Sequence, residues 1–136
     1  MQQVAAGVIR DGSGRILLAE RFSPCPHGGS WEFPGGTREA GESIEACLHR
    51  ELAEELGIRV RIDEAFLVLE RPYRDRELDL HVFLCTHVDG DPQCLEVKDW
   101  RWVEPEDIGR WNLTGADRRI FEALKARWDG ASGGPP

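Results

Sequence analysis

Apolar positions along the chain fall into short runs broken by glycine and proline, with two stretches of a different period. Val4 to Ile9 is a short apolar run and predicts a buried strand. Asp11-Gly12-Ser13-Gly14 is a turn signal, and Arg15 to Glu20 returns as a second strand, so residues 4–20 predict a hairpin. Phe22 to Ser30 holds two prolines and two glycines and predicts a loop. Trp31-Glu32-Phe33 is short and aromatic, and Pro34-Gly35-Gly36 breaks it. The period then changes. Ile44, Leu48, Leu52 and Leu56 recur at four-residue intervals, the stripe of an amphipathic helix. Ser43 is placed to cap its start, and Gly57 to end it in the left-handed conformation.

Val60 to Arg71 is β-like, with Ala65 to Leu69 densely apolar, and residues 71–76 form a charged connection. Leu78, Leu80, Val82 and Leu84 alternate with Asp79, His81, Phe83 and Cys85, a period of two that predicts a strand. His81 reads as a packed or edge residue there. Asp89-Gly90-Asp91-Pro92 is a turn. Asp99 to Val103, with Trp100 and Trp102, predicts a strand that Glu104-Pro105-Glu106-Asp107 ends. A last helix begins near Thr114, with Asp117 three residues on, and carries Ile120, Leu124 and Trp128 on one stripe beside Phe121. Asp129 to Pro136 is rich in glycine and proline and reads as a flexible tail. Residues 1–128 thus predict a single domain of α+β or α/β class, with helical layers around a mixed sheet.

Composition narrows the partners. The 136 residues are 40% hydrophobic and 31% charged, as in ordinary globular domains, with a net charge of −8. Such a surface repels nucleic acid polymers, and no Lys/Arg cluster offers a phosphate-tracking groove. A small anionic substrate would need its charge screened by metal. The cysteines, Cys25, Cys47, Cys85 and Cys94, form no Cys-x-x-Cys pair, and Cys47 and Cys85 sit in apolar patterns as buried thiols. That usage favours a reducing cytoplasm. No run approaches the roughly 20 apolar residues of a membrane span, and the start lacks a basic signal-peptide opening.

Candidate chemistry concentrates between Gly36 and Ile58. The fixed points are Gly36, Glu42, Arg50-Glu51-Leu52, Glu54-Glu55, Gly57 and Ile58. A glycine loop leads into a helix whose second half is crowded with carboxylates. Glu51, Glu54 and Glu55 stand at i, i+3 and i+4, within an arc of about 100°. Three carboxylates so placed repel each other, and a cation would relieve them. Hard oxygen ligands select Mg²⁺ or Mn²⁺.

This segment resembles the Nudix box and matches its pattern at each fixed position. Trp31-Glu32-Phe33-Pro34-Gly35-Gly36, and Trp102-Val103 with Pro105-Glu106-Asp107, resemble the MutT branch, so the likeness runs to about residue 127. The resemblance implies an α/β/α sandwich. It also implies Mg²⁺-dependent hydrolysis of nucleoside triphosphates to the monophosphate and pyrophosphate, on oxidised or pyrimidine nucleotides such as 8-oxo-dGTP or (d)CTP, by a monomer or homodimer. It makes Glu51, Glu54, Glu55, Glu96 and the Gly35 carbonyl metal ligands, and places Arg50, Glu51, Glu54 and Glu96 in the catalytic machinery. Arg50 would pair with Glu42 or with a ligand glutamate. The general base would be a box glutamate or Glu96. Arg21, Phe33, Gly35, Gly36 and Asp117 would meet the nucleotide. Phe33 either stacks on the base or packs beneath the loop. Asp117 either reads the base edge or stabilises the helix terminus, and it departs from the asparagine of the enzyme that favours 8-oxoguanine. Pro72 and Tyr73, shortly past the box, keep ADP-ribose and dinucleoside polyphosphates open as alternative substrates. A binding module without catalysis would have lost box glutamates, and none is missing here. An accessory DNA-repair domain would accompany a glycosylase portion, and the chain has none.

Overall fold

A computed structural model describes residues 1–22 and 29–130. Its elements are β1 (Gln2–Arg10), β2 (Ile16–Glu20), β3 (Trp31–Glu32), β4 (Gly35–Thr37), α1 (Ile44–Leu56), β5 (Arg59–Glu70), β6 (Leu78–Asp89), β7 (Asp99–Val103), a 3-10 helix (Pro105–Arg110) and α2 (Gly115–Asp129). The strands form one mixed sheet in the order β3-β2-β1-β6-β5, with β4 added on β1 and β7 on β2. β1 and β6 run parallel, from Gln2↔Leu78 to Arg10↔Thr86, and the other pairs are antiparallel.

Both faces of this sheet are covered, and the residues of β1 show why its sequence is apolar throughout. Ala5 and Ile9 face Cys47, Leu48, Leu52 and Leu56 of α1. Ala6 and Val8 face the layer that holds Ile120, Phe121 and Leu124 of α2. A strand buried on both sides cannot alternate with polar residues. β6 is divided in the same way, with Leu80 and Val82 toward α2 and Phe83 and Cys85 toward α1. The architecture is therefore an α/β/α sandwich, as expected.

Three local expectations change. The predicted hairpin closes on the Asp11 turn, but β1 and β2 share the single pair Arg10↔Ile16 and then diverge. β1 goes on to pair with β4 and β6, and β2 with β3 and β7. The segment from Trp31 to Thr37 bridges them, pairing first with β2 (Ala19↔Glu32) and then with β1 (Ala5↔Gly36). Gly35 and Gly36 therefore carry strand pairing instead of ending it. The stop after Val103 is a 3-10 helix, which buries Pro105 and Ile108, the latter in the α2-side core.

Other expectations hold. Ser43 Oγ accepts from the Ala46 N–H at 3.0 Å, and Gly57 stands at φ 68°, ψ 27°. Cys47 and Cys85 are buried, Cys94 is exposed, and Cys25 lies outside the described residues. Most of the predicted loop (23–28) and of the predicted flexible tail (131–136) lies outside them too. His81 is half-buried and bonded to Gln3. No described helix is long and apolar enough to cross a membrane.

Candidate active site

Arg50 ties the glycine loop to α1. Its Nη2 reaches Glu42 Oε1 at 2.7 Å and its Nε reaches Glu42 Oε2 at 3.0 Å. Nη1 donates to Glu51 Oε1 at 2.9 Å and to Glu54 Oε2 at 3.1 Å, and Nη2 donates to the Thr37 carbonyl at 3.0 Å. Both partners expected for Arg50, Glu42 and a box glutamate, are thus engaged at once. Glu42 also accepts from the Glu39 N–H at 2.8 Å. The Arg50 bond and then that N–H hold its carboxyl down to about 2.

The second group of side chains surrounds a cavity of about 460 Å³. Glu51 and Glu55 line it from α1, together with Gly35 and Gly36 of β4 and Glu96. Helix geometry separates Glu54 from this pair. Glu55 is four residues after Glu51 and shares its face, whereas Glu54 is four residues after Arg50 and shares that one. Glu54 is 46% exposed at the Arg50 cluster and is not part of the cavity wall. Glu96 arrives through the backbone. The N–H groups of Leu95 and Glu96 donate to the Glu55 carbonyl at 3.1 and 3.0 Å, and Gln93 N–H donates to Leu56 O at 2.9 Å. The loop before β7 is thereby hung on the open end of α1, which satisfies carbonyls that the helix cannot pair itself.

Further round the wall, Arg21 pairs with Glu32 at 3.0 Å. Asp117 sits in the first turn of α2 yet is only 8% exposed. Its Oδ1 accepts from the Phe33 N–H at 3.0 Å, and its Oδ2 from the Thr114 hydroxyl at 2.8 Å. The Thr114 hydroxyl therefore serves Asp117 and caps no helix N–H. The Phe33 ring is 1% exposed and belongs to the α2-side core, and the residue also lines the cavity. Tyr73 and Arg76, from the charged connection, also reach the cavity, with Arg76 stacked over the Tyr73 ring at 5.7 Å.

Crowding of carboxylates shows in their protonation. Burial, then repulsion from Glu51, Glu32 and Glu96, pushes Glu55 up to about 8. Burial also raises Glu51, against the pull of Arg50. Glu32 is pushed up to about 8 by burial and then by Asp117, with Arg21 opposing. Asp117 is raised by burial, against its bonds to Thr114 and Phe33. Glu32 is the residue that sequence reading missed, being read only as part of the short aromatic segment Trp31-Glu32-Phe33. The available signal was a carboxylate held between two aromatic residues that the fold had to bury.

Fold and site together define the α/β/α hydrolases that set an acidic helix against a glycine loop. The model of the NUDIX domain matches residues 1–124. The CTP pyrophosphohydrolase of Escherichia coli (strain K12) is 36% identical over 126 residues, 93% of this chain and 92% of that one. The 8-oxo-dGTP diphosphatase of Haemophilus influenzae is 33% identical over 122 residues, 90% of each. A MutT structure from work on Aliivibrio salmonicida and Vibrio cholerae superposes with a TM-score of 0.80 at 32% identity, covering 93% of this chain and 98% of that one. The chain belongs to the NUDIX family. Within it, the chain is a MutT-like hydrolase.

Proposed function

We propose that the chain hydrolyses nucleoside triphosphates to the monophosphate and pyrophosphate, with Mg²⁺ or Mn²⁺ as cofactor. The charge of the cavity wall carries this reading. Among the described residues it holds five carboxylates, Glu32, Glu51, Glu55, Glu96 and Asp117, against two arginines, Arg21 and Arg76. A polyphosphate cannot enter such a wall unless cations accompany it.

The residues present fit a hard cation. All donors are oxygens, and burial with mutual repulsion leaves Glu51 and Glu55 in need of positive charge. Glu51, Glu55, Glu96 and the Gly35 carbonyl would hold it, with Glu54 joining from the Arg50 cluster. Among the described residues no three acidic, His or Cys side chains stand close enough together to hold a metal ion by themselves. Phosphate and water oxygens would complete the shell, as is usual for Mg²⁺. A bound ion would supply phosphate charge neutralisation and a more acidic water molecule there. Arg50 orients Glu51 and Glu54. Glu51 or Glu96 takes the proton of the attacking water. Gly36 leaves room for the Glu51 carboxylate, because a Cβ there would stand 2.2 Å from Glu51 Cδ.

Nucleotide substrates gain support from the activities for which the E. coli and H. influenzae relatives are named. Free thiols at Cys47, Cys85 and Cys94 suit a reducing cytoplasm, where we place the enzyme. Tyr73 on the cavity wall favours a second reading, hydrolysis of ADP-ribose or a dinucleoside polyphosphate. Rates across normal and oxidised (d)NTPs, ADP-ribose and dinucleoside polyphosphates, each with Mg²⁺, separate the two. Triphosphates are expected to lead by tenfold or more. Preference for ADP-ribose would reverse the order.

A further inference from the structure

We propose that a second cavity, beside the C-terminal end of α2, is a binding site for a small organic anion, an acid group carried on a flat apolar body such as an aromatic carboxylate or an aryl phosphate. The site shares no residue with the cavity of the candidate hydrolytic groups. The proposal therefore goes beyond the hydrolytic reading and does not rest on it.

The apolar floor comes from the α2 side of the sheet and from the helix that covers it. Val8 and Arg10 stand two positions apart on β1 and so share a face. Leu84 continues the face of Leu80 and Val82 on β6. Leu124, Arg127 and Trp128 stand at i, i+3 and i+4 on α2, on one side of that helix. With Ile16 of β2 these groups enclose about 460 Å³. Small-molecule sites occupy roughly 300–1,000 Å³ and combine an apolar lining with a few convergent polar groups. The first turn of α2 lines the hydrolytic cavity through Asp117, and its last turns line this one.

The polar rim comes from an irregularity in β5. In a regular strand Arg61 and Asp63 would share one face and Glu64 would take the other. The register shifts between Ile62↔Cys85 and Glu64↔Leu84, which leaves Asp63 as an extra residue, a bulge. Arg61, Asp63 and Glu64 consequently all line the cavity.

Charge on this rim is unevenly matched. Asp63 accepts from the Thr86 hydroxyl and from Arg61 Nε, each at 2.6 Å. Those bonds, that of Thr86 first, hold its carboxyl below the usual range. Glu64 accepts two bonds from Arg127, at 2.9 and 3.0 Å, and the same guanidinium lies 5.6 Å from the centre of the Phe66 ring. Each carboxylate thus has its own arginine. Arg10 is the third guanidinium, and no carboxylate among the described residues forms an ion pair with it. The wall carries one surplus positive charge on a chain whose net charge is −8. A guanidinium pairs with carboxylate or phosphate oxygens, and the half-buried Trp128 indole offers a flat apolar surface beside the floor. A neutral apolar molecule would leave Arg10 unused, and inorganic phosphate would leave the floor uncovered.

Calorimetric titration of the metal-free full chain with naphthoate, naphthyl phosphate and uncharged naphthalenemethanol tests this. At least one anion is expected to bind about fivefold or more tighter than the alcohol. Whichever anion binds tighter identifies the acid group the site prefers. Arg10 is exposed and has no ion pair to lose, so Arg10→Gln should fold normally. It should remove the advantage of the anion and leave the alcohol unchanged. NMR of the wild type with the tighter anion should shift the Trp128 indole N–H and the Leu124 methyl groups. Equal affinity for all three probes, or no binding of either anion up to about 1 mM, would overturn the proposal. So would an anion advantage that survives in Arg10→Gln, or shifts confined to Glu51, Glu55 and Asp117. None of these readouts uses turnover, so loss of hydrolysis would count against the proposed activity alone.

Discussion

Gly35 and Gly36 are adjacent, yet a methyl group would spoil them in different ways. A Cβ on Gly35 would stand 1.8 Å from the Ala5 carbonyl oxygen, which is backbone and cannot yield. Gly35→Ala should open the β1–β4 pairing and destabilise the fold by about 2–4 kcal/mol, read as a lower melting temperature. On Gly36 the obstacle is the end of the Glu51 side chain, which can swing away. Gly36→Ala should melt close to the wild type yet lose tenfold or more in kcat and require more Mg²⁺. Equal melting losses in both variants would remove the distinction. Glu54 offers a related contrast. Its carboxylate is partly exposed and its bond to Arg50 is of the kind worth about 0–1 kcal/mol. Glu54→Gln should lower kcat strongly with little change in the metal-free melt. A large melting loss with retained activity would return Glu54 to a purely structural role.

Helix α1 was legible at the level of the element because its signals are local. The apolar stripe, the Ser43 cap and the left-handed Gly57 all act within a few residues of where they are written. Replacing Gly57 by alanine should cost about 1–2 kcal/mol for the left-handed conformation. The loop carrying Glu96 hangs on the carbonyls of Glu55 and Leu56, so kcat should fall as well. Wild-type stability in Gly57→Ala would contradict that account. The hairpin was not legible in the same way. Strand pairing is non-local, and nothing in residues 4–20 states that β1 would prefer β6 and β4 to β2. Gly35 and Gly36 read as a break because a propensity scale sees no side chain, whereas the sheet uses that absence to approach Ala5. The acidic face of α1 was visible as i, i+4 spacing. The docking of Asp117 behind β3 was not, because Asp117 and Phe33 lie 84 positions apart and meet through a single backbone bond.

Across the whole molecule, the buried carboxylates set how stability follows pH. Glu32 and Glu55 sit near 4.5 when exposed and about 8 when folded. A carboxyl raised by folding contributes its full stability below its unfolded value and loses it as pH rises to its folded one. The metal-free protein should therefore lose stability between about pH 4.5 and about pH 8. Glu42 acts in the other direction, since its carboxyl is held down to about 2, and its contribution is lost as pH falls from 4.5 toward that value. Thermal melts across pH, with and without Mg²⁺, check this. The Mg²⁺-induced rise should be larger at about pH 8 than at about pH 5. A metal-free melt that climbs steadily to pH 8 would contradict it.

The central claim is metal-dependent cleavage of a triphosphate to the monophosphate and pyrophosphate. Phosphorus NMR of CTP, incubated with the protein and Mg²⁺ and again in excess chelator, tests it most directly. CMP and pyrophosphate are expected with Mg²⁺, and no turnover with the chelator. Release of CDP and inorganic phosphate, or equal turnover in the chelator, would contradict it.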